Sequence, residues 1–348
     1  MIKNYSTRFK ELLKKEKTVL VAEIGQAHDG SLNIAHAMID ACANAKVDVV
    51  KFQAHVAEAE STLDEPFRVK FSYKDRSRFD YWRRMEFSFE EWKSLFNHAK
   101  KRGLYFMVSV FSEKAFEMIN KLDVCAWKVS SGEISNINLI NRMIKTKKTI
   151  IISTGMSDNA EIKNTINFLK NKKAHFVILQ CSTMYPTPLK YVGMNIVEEI
   201  KNKYKCLVGL SDHTGSVYPL IYGLSKKFAL LEFHVTFHQN MFGPDNSSSI
   251  TFEELKDITD FRKNFEILSN HRVDKNKIFN KFKSTKKIFG KSLSLKKPKN
   301  KNYIIKDTDL VSKKPGNGIS PDQRNKIIGK KLKKTVSNNK LLRLDDFY

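Results

Sequence analysis

The chain has few cysteines, no long apolar run and a deficit of acidic residues, and each shortage excludes a class of protein. Its four cysteines in 348 residues include no CxxC pair, so we expect buried reduced thiols rather than disulfides or a zinc site. No stretch approaches the ~20 apolar residues of a membrane span. Residues 1–10 lack the apolar core of a signal peptide, so a cytoplasmic protein with no membrane partner is expected.

The shortage of acidic residues leaves 37 Asp and Glu against 62 Lys and Arg, a formal net charge of +25. Clustered basic residues bind the phosphates of nucleic acids. Here lysines are scattered through almost every predicted helix, with an excess after residue 270. A lysine-rich composition therefore explains the charge better than a nucleic-acid interface does, although the field can draw an anionic substrate towards a site.

Strand-like and helix-like segments alternate with the rhythm of repeated βα units. Helices are predicted between the strands, among them 31–45 and one that begins at Ser88, where Glu91 completes a capping box. The predicted strands are 18–24, 47–53, 105–111, 126–130, 149–153, 176–180, 207–210 and 229–235. Eight such units predict an α/β fold, a (β/α)8 TIM barrel, with its site at the carboxyl ends of the strands.

The chain is longer than the ~250 residues typical of one such barrel. We assign residues 1–280 to the barrel and 288–348 to a second, smaller domain. Short apolar patches interrupted by Pro315, Gly316 and Gly318 predict an irregular β-rich domain with 3₁₀ elements. Within the barrel, the long connection 54–88 is rich in charge and aromatics, and a loop of that length is usually functional.

Two histidines, His213 and His234, lie at the ends of the last two predicted strands. In a parallel barrel that position is the catalytic rim. Two neutral imidazoles, completed by water, suit a catalytic divalent metal better than a structural site, which normally recruits four protein ligands. The alternative is that each histidine only forms a hydrogen bond within the core.

Lysines, carboxylates and hydroxyls follow other strands of the predicted barrel. Lys51 and Lys128 lie in apolar strands, where a lysine must reach solvent or meet a charged partner. Together with serine and tyrosine hydroxyls of the same rim, they predict a site for an anion such as a phosphate beside a carboxylate. Glu133 and Glu23 are candidates for a general acid or base, and the alternative is that each holds a lysine as an ion pair.

Several short segments carry a family resemblance when they are taken together. In chain order they are 21–30 (VAEIGQAHDG), 51–53 (KFQ), 127–133 (WKVSSGE), 153–156 (STGM), 180–186 (QCSTMYP), 209–214 (GLSDHT), 232–237 (EFHVTF) and 243–245 (GPD). They resemble the sialic acid synthase family, whose members condense phosphoenolpyruvate with an N-acetylated amino sugar. Residues 313–319 (KKPGNGI) and 328–330 (IGK) resemble the antifreeze-like (SAF) domain that follows the barrel in this family.

The resemblance implies a role for each matching position. His213 and His234 would hold a divalent cation, manganese in the first place and magnesium or cobalt as alternatives. Glu133 would manage the proton transfers. Phosphoenolpyruvate would be bound by Lys51, Ser109, Lys128, Ser131, Ser153 and Ser211. The open-chain sugar would contact Gln53, Tyr185, Asp245, Glu23 and, from the second domain, Lys314.

The activity implied is that of a carbon–carbon bond-forming transferase, a nonulosonic acid synthase that converts N-acetylmannosamine and phosphoenolpyruvate into N-acetylneuraminate and phosphate. A different acceptor, a diacetamido hexose, would lead to legionaminic or pseudaminic acid. Two further hypotheses are a metal-dependent pyruvate aldolase and a non-enzymatic binding protein with a basic surface. The resemblance also implies a domain-swapped homodimer, in which the second domain closes the site of the partner subunit.

Overall fold

The computed structural model describes residues 4–15, 17–69 and 71–348. The chain divides into two compact units, Met1–Ser269 and Asn270–Tyr348. Residues 1–3 of the N-terminal segment considered above lie outside the described residues. In the described ranges, no helix has the length and apolar character needed to cross a membrane.

Eight parallel strands form a closed barrel in the first unit, which confirms the TIM-barrel prediction. They are β1 Val19–Gly25, β2 Val49–Ala54, β3 Tyr105–Val110, β4 Ala126–Val129, β5 Thr149–Ser153, β6 Phe176–Cys181, β7 Leu207–Asp212 and β8 Leu230–Thr236. Each strand pairs with the next one along the chain, and β1 pairs with β8 to close the ring. A short ninth strand, β9 Ser249–Thr251, runs parallel to β8.

Helices connect the strands and surround the barrel. Those that begin in the first unit are α1 Tyr5–Lys14, α2 Leu32–Asn44, α3 Ala57–Glu60, α4 Arg78–Met85, α5 Phe89–Lys101, α6 Glu113–Ile119, α7 Ile137–Lys145, α8 Asn159–Asn171, α9 Met194–Tyr204, α10 Tyr218–Ser225 and α11 Phe252–Asn270. The predicted capping box is present at the start of α5. The backbone N–H of Ser88 donates to the Glu91 carboxylate at 2.7 Å, and that of Glu91 donates to the Ser88 hydroxyl at 3.4 Å.

The barrel strands are buried along nearly their whole length, as parallel strands covered on both faces must be. In β5, every residue from Thr149 to Ser153 is buried. Charged residues nevertheless lie in five of the strands. The most deeply buried of them are Glu23 in β1, Lys51 in β2 and Lys128 in β4, each at most 2% exposed. Their burial needs a local electrostatic reason, and the candidate site supplies it.

The second unit has a small apolar core and little regular structure. It contains α12 Lys275–Phe279, α13 Lys283–Phe289 and the antiparallel pair β10 Ser292–Leu295 and β11 Leu310–Lys313. Short 3₁₀ turns and isolated bridges complete it, in agreement with the predicted β and 3₁₀ content. Its core residues are Leu293, Leu295, Ile305, Leu310, Ile319, Ile327, Leu332, Val336, Leu342 and Phe347. The bounds 1–280 and 288–348 and the SAF assignment stay predictions.

Candidate active site

A cavity of about 310 Å³ lies in the first unit and is lined by residues from the carboxyl ends of the barrel strands and from the loops that follow them. The predicted site residues that line it are Glu23, Lys51, Gln53, Ser109, Lys128, Ser131, Glu133, Ser153, Tyr185, Ser211, His213, His234 and Asp245. The remaining one, Lys314, lies in the second unit. The fold thus brings the barrel candidates to one place, while their individual roles stay predictions.

The floor of this cavity is a buried charge cluster made of Lys51, Lys128, Glu23 and Glu232. Lys51 forms an ion pair with Glu23. The Nζ atoms of Lys51 and Lys128 lie 3.6 and 3.7 Å from Oε1 of Glu232, and the side chains of all four residues are at most 7% exposed. Two positive and two negative charges offset one another, which is the condition under which such groups can be buried.

Strand register explains how the chain assembles this cluster. Glu23 of β1 lies opposite Lys51 of β2 on one side and opposite His234 of β8 on the other. Ser109 of β3 lies opposite Lys128 of β4 in the same way. Adjacent parallel strands therefore place an acid beside a base in one pair and a hydroxyl beside a base in the other.

Glu232 was not among the predicted site residues, although the sequence carried a signal for it. It precedes His234 by two residues, and alternate residues of a strand point to the same face. Its Oε1 accepts a hydrogen bond from Ser211 Oγ at 3.1 Å, whereas Oε2 is buried and has no partner among the described residues. A buried carboxylate oxygen without a partner costs free energy. Glu232 therefore has hydrogen-bonding capacity left for a ligand.

Two members of the cluster, Lys51 and Glu232, have shifted pKa values. Burial lowers the pKa of Lys51 to about 8, and the nearby Glu232 opposes that decrease. Burial alone would raise the pKa of Glu232, but Lys128 and Lys51 bring it below its ordinary value. At pH 7 Lys51 is thus mainly protonated and Glu232 ionised, which suits the binding of an anion.

Glu23 has the contacts of a counter-ion. Besides its ion pair with Lys51, its carboxylate accepts hydrogen bonds from the backbone N–H of Gly25 at 2.9 Å and from Nε2 of Gln53 at 3.3 Å. These are the contacts expected from the alternative in which Glu23 holds the lysine. Its predicted catalytic role stays untested.

His213 and His234 lie together at the rim, with ring centroids 5.3 Å apart. Burial lowers the pKa of both imidazoles to about 3; the neighbouring His234 adds to the effect on His213, and Lys51 to the effect on His234. Both are therefore neutral at pH 7, the form that binds metals. Nδ1 of His213 lies 3.2 Å from the carbonyl oxygen of Ser182, a contact that places the proton on Nδ1 and leaves Nε2 with a lone pair.

The two imidazoles, of His213 and His234, can supply some of the ligands of a divalent cation but not a full set. Two imidazoles at this separation can share one ion, because metal–nitrogen bonds are about 2.1 Å long. In the part of the chain that the structure describes, no group of three or more His, Cys, Asp or Glu side chains is arranged to hold a metal. The histidine pair would therefore leave most coordination positions to water or substrate, as the sequence interpretation assumed.

Glu133 lies in the 3₁₀ turn Ser131–Glu133 after β4 and is half-buried. Burial raises its pKa, although a hydrogen bond from Asn136 at 2.9 Å opposes the change. A carboxyl group whose pKa moves towards neutrality is better suited to exchange protons. Nearby, the hydroxyl of Ser153 is buried without a partner among the described residues, so it is available to an anion.

Tyr185, Asp245 and Arg68 form the upper wall of the cavity. The Tyr185 ring centroid lies 4.3 Å from that of His213, and Cζ of Arg68 lies 4.2 Å from the Tyr185 centroid. Arg68 also donates a hydrogen bond to Oδ1 of Asp245 at 2.8 Å. The sequence interpretation missed Arg68; its only signal was the length of the connection 54–88, which here reaches the loop after β8.

The comparisons with known proteins agree with one another. The family model described as "NeuB family" matches residues 38–273. The N,N'-diacetyllegionaminic acid synthase of Campylobacter jejuni is 31% identical over 94% of this chain and 99% of its own. A pseudaminic acid synthase of Campylobacter jejuni is 25% identical over 95% of this chain and 97% of its own.

A solved structure supports the fold. The N-acetylneuraminic acid synthetase of Leptospira borgpetersenii matches with a TM-score of 0.65 and 24% identity, over 77% of this chain and 91% of that one. At this level of identity the likeness concerns the architecture of the chain.

Proposed function

The chain belongs to the NeuB family, and on that premise we propose that it is a nonulosonic acid synthase, a transferase that condenses phosphoenolpyruvate with an acetamido sugar and releases phosphate. The observation that carries the proposal is the buried charge cluster. Two lysines lie at the floor of a barrel cavity that Ser153 also lines, and the Ser153 hydroxyl has no partner in the part of the chain that the structure describes. This set suits a small substrate with both phosphate and carboxylate groups.

For the acceptor we propose a diacetamido hexose. The support is the similarity to a diacetyllegionaminic acid synthase and to a pseudaminic acid synthase over nearly the whole of each chain. N-acetylmannosamine, which the motif resemblance placed first, becomes the alternative acceptor.

The residues of the cavity divide into an anion-binding side and a sugar-binding side. Lys51 and Lys128 would bind the phosphate and carboxylate of phosphoenolpyruvate, assisted by hydroxyl donors. The donors are Ser109, Ser131, Ser153 and Ser211. Gln53, Tyr185 and Asp245 would orient the open-chain sugar above them. Because the lysines stabilise the anion in every state, they contribute mainly to binding.

In the reaction, C3 of phosphoenolpyruvate adds to the sugar aldehyde, water adds to C2, and phosphate leaves by carbon–oxygen cleavage. Glu133 would donate a proton to the aldehyde oxygen as it becomes a hydroxyl. Glu23 would keep Lys51 protonated and in place. His213 and His234 would hold the divalent cation, manganese in the first place, which when bound polarises the aldehyde oxygen.

The proposal is tested by incubating the purified protein with phosphoenolpyruvate, Mn²⁺ and each of three acceptors: N-acetylmannosamine and the diacetamido hexoses that lead to legionaminic and pseudaminic acid. We expect phosphate release and a product whose mass is that of the acceptor plus pyruvic acid, with a diacetamido hexose used most efficiently. Turnover of pyruvate without phosphate release would instead indicate an aldolase. Salt-dependent nucleic-acid binding with no turnover and no metal requirement would indicate a binding protein.

Replacing Arg68 with alanine is expected to raise KM for the acceptor sugar about tenfold, because Asp245 loses its ion pair and Tyr185 loses the cation above its ring. KM for phosphoenolpyruvate should stay unchanged, since Arg68 does not belong to the buried charge cluster. Initial rates measured against each substrate check this. Arg83→Ala is the matched control, because that side chain, in α4, is 58% exposed. An equal effect of both substitutions, or an equal rise in both KM values, would contradict the assignment of Arg68 to the sugar side.

A further inference from the structure

A histidine with no role in the proposed reaction is buried beside the cavity. His55 follows β2 and is 3% exposed. Its ring stacks between Trp82, with centroids 4.1 Å apart, and Phe111, with centroids 4.7 Å apart. Its Nδ1 lies 2.5 Å from Oε1 of Glu60, which is 6% exposed and belongs to α3. A phenylalanine would fill the same slot without burying polar groups, so stacking alone does not explain the pair.

Hydrogen bonds lead from this pair into the cavity. Nε2 of His55 lies 3.1 Å from Nε2 of Gln26. Nε2 of Gln26 donates to Oε1 of Gln53 at 2.6 Å, and Nε2 of Gln53 donates to Oε2 of Glu23 at 3.3 Å. Gln26, Gln53 and Glu23 line the cavity. We call the row Glu60, His55, Gln26, Gln53 and Glu23 the amide relay.

The direction of every bond in the amide relay follows from its two ends. A carboxylate can only accept, so Nδ1–H of His55 donates a hydrogen bond to Glu60, and Nε2 is left as an acceptor. Gln26 must then turn its NH₂ group towards His55 and use its second N–H for the carbonyl of Gln53. Glu23, the other carboxylate, fixes the NH₂ group of Gln53 in the same way.

The amide relay therefore determines which hydrogen-bonding groups of Gln26 and Gln53 remain free for a ligand. Both N–H groups of Gln26 are used, so it presents its carbonyl oxygen. One N–H and the carbonyl of Gln53 are used, so it presents its other N–H. An acceptor and a donor side by side complement an acetamido group, which has one N–H and one carbonyl oxygen.

We infer that Glu60 and His55 are positioning residues that orient Gln26 and Gln53 to recognise an acetamido group of the acceptor sugar. The group concerned is the one next to the aldehyde, since the relay ends at Glu23, the partner of Lys51 in the anion-binding side. This inference rests on the proposed function. A hydroxyl in place of the acetamido group both donates and accepts, so it can adapt to either orientation of the amides and depends less on the relay.

The test uses Glu60→Gln, which keeps the shape of the side chain but allows it to donate, and His55→Phe, which keeps the ring stack. Each variant is assayed with phosphoenolpyruvate and two sugars: the acetamido acceptor that the wild type uses and its analogue with a hydroxyl next to the aldehyde. We expect kcat/KM for the acetamido sugar to fall about tenfold, with less than a twofold change for the analogue and an unchanged KM for phosphoenolpyruvate. Glu58→Gln is the matched control, because Glu58 lies in the same helix with its side chain 67% exposed.

Three outcomes would overturn the inference. If the wild type releases no phosphate with any acceptor, the proposed function fails and the inference falls with it. If the wild type is active but both relay variants, folded by circular dichroism, keep the wild-type ratio between the two sugars, only the inference fails. A loss that is equal for both sugars would also reject it, because a purely structural role would have that effect.

Discussion

Replacing His213 or His234 with alanine is expected to lower phosphate release about a thousandfold while the barrel stays folded. The loss corresponds to roughly 4 kcal/mol, the order of stabilisation that a bound cation gives to a developing charge. The fold should survive, because a side chain at the rim of the barrel adds little to its packing. The measurements are the rate of phosphate release after chelation and return of Mn²⁺, and the metal content of each purified variant.

His238→Ala provides the matched control, since His238 is an exposed histidine in the loop after β8. It should retain wild-type activity and metal content. If His213→Ala or His234→Ala keeps near wild-type turnover once Mn²⁺ is returned, the metal assignment is wrong. If activity is lost but metal content does not change, the two histidines act on the substrate and not through a cation.

The sequence predicted the barrel well because its signals are local. Nearly continuous apolar runs mark parallel strands buried on both faces, and the residues that follow them mark the rim. The capping box of Ser88 and Glu91 depends on residues three positions apart, and it was predicted correctly. These features need no knowledge of distant parts of the chain.

For Glu232, the local sequence predicts the direction of the side chain but not its partners. The alternation that directs His234 into the cavity applies equally to Glu232. What the sequence does not give is the identity of the partners: Lys51, 181 positions earlier, and Lys128 both approach the same carboxylate oxygen only because strand register brings them to one level. The balance of charge in the cluster is therefore a property of the closed barrel.

The segment between β2 and α4 was beyond sequence reasoning for a different reason. It has no hydrophobic period, so nothing along it predicts which side chains point inward. Arg68 meets Asp245 across 177 positions of the chain, and His55 is enclosed by the rings of Trp82 in α4 and Phe111 after β3. Only the length of the segment signalled a function. The acetamido selectivity proposed for the amide relay depends on contacts of this kind, between residues far apart in the sequence.

The second large effect is expected from Lys51→Met and Lys128→Met. Each substitution removes one buried ammonium group from the anion-binding side, and KM for phosphoenolpyruvate should rise about thirtyfold, which corresponds to about 2 kcal/mol for a charged hydrogen bond. KM for the sugar should change much less. Lys163→Met, an exposed lysine of α8, is the control and should behave like the wild type. Unchanged dependence on phosphoenolpyruvate in both buried-lysine variants would reject the anion site.

The pH dependence of KM for phosphoenolpyruvate tests whether Lys51 carries a charge that binds the anion. Burial lowers the pKa of Lys51 to about 8, so this ammonium group loses its proton as the pH rises through that value. In the wild type, KM for phosphoenolpyruvate is therefore expected to increase above about pH 8, where one positive charge leaves the site. Lys51→Met has no such charge to lose, so its KM should already be high at pH 7 and should not show this increase. A wild-type KM that stays constant from pH 7 to 9.5, or an equal increase in Lys51→Met, would show that Lys51 is not the group whose charge binds the anion.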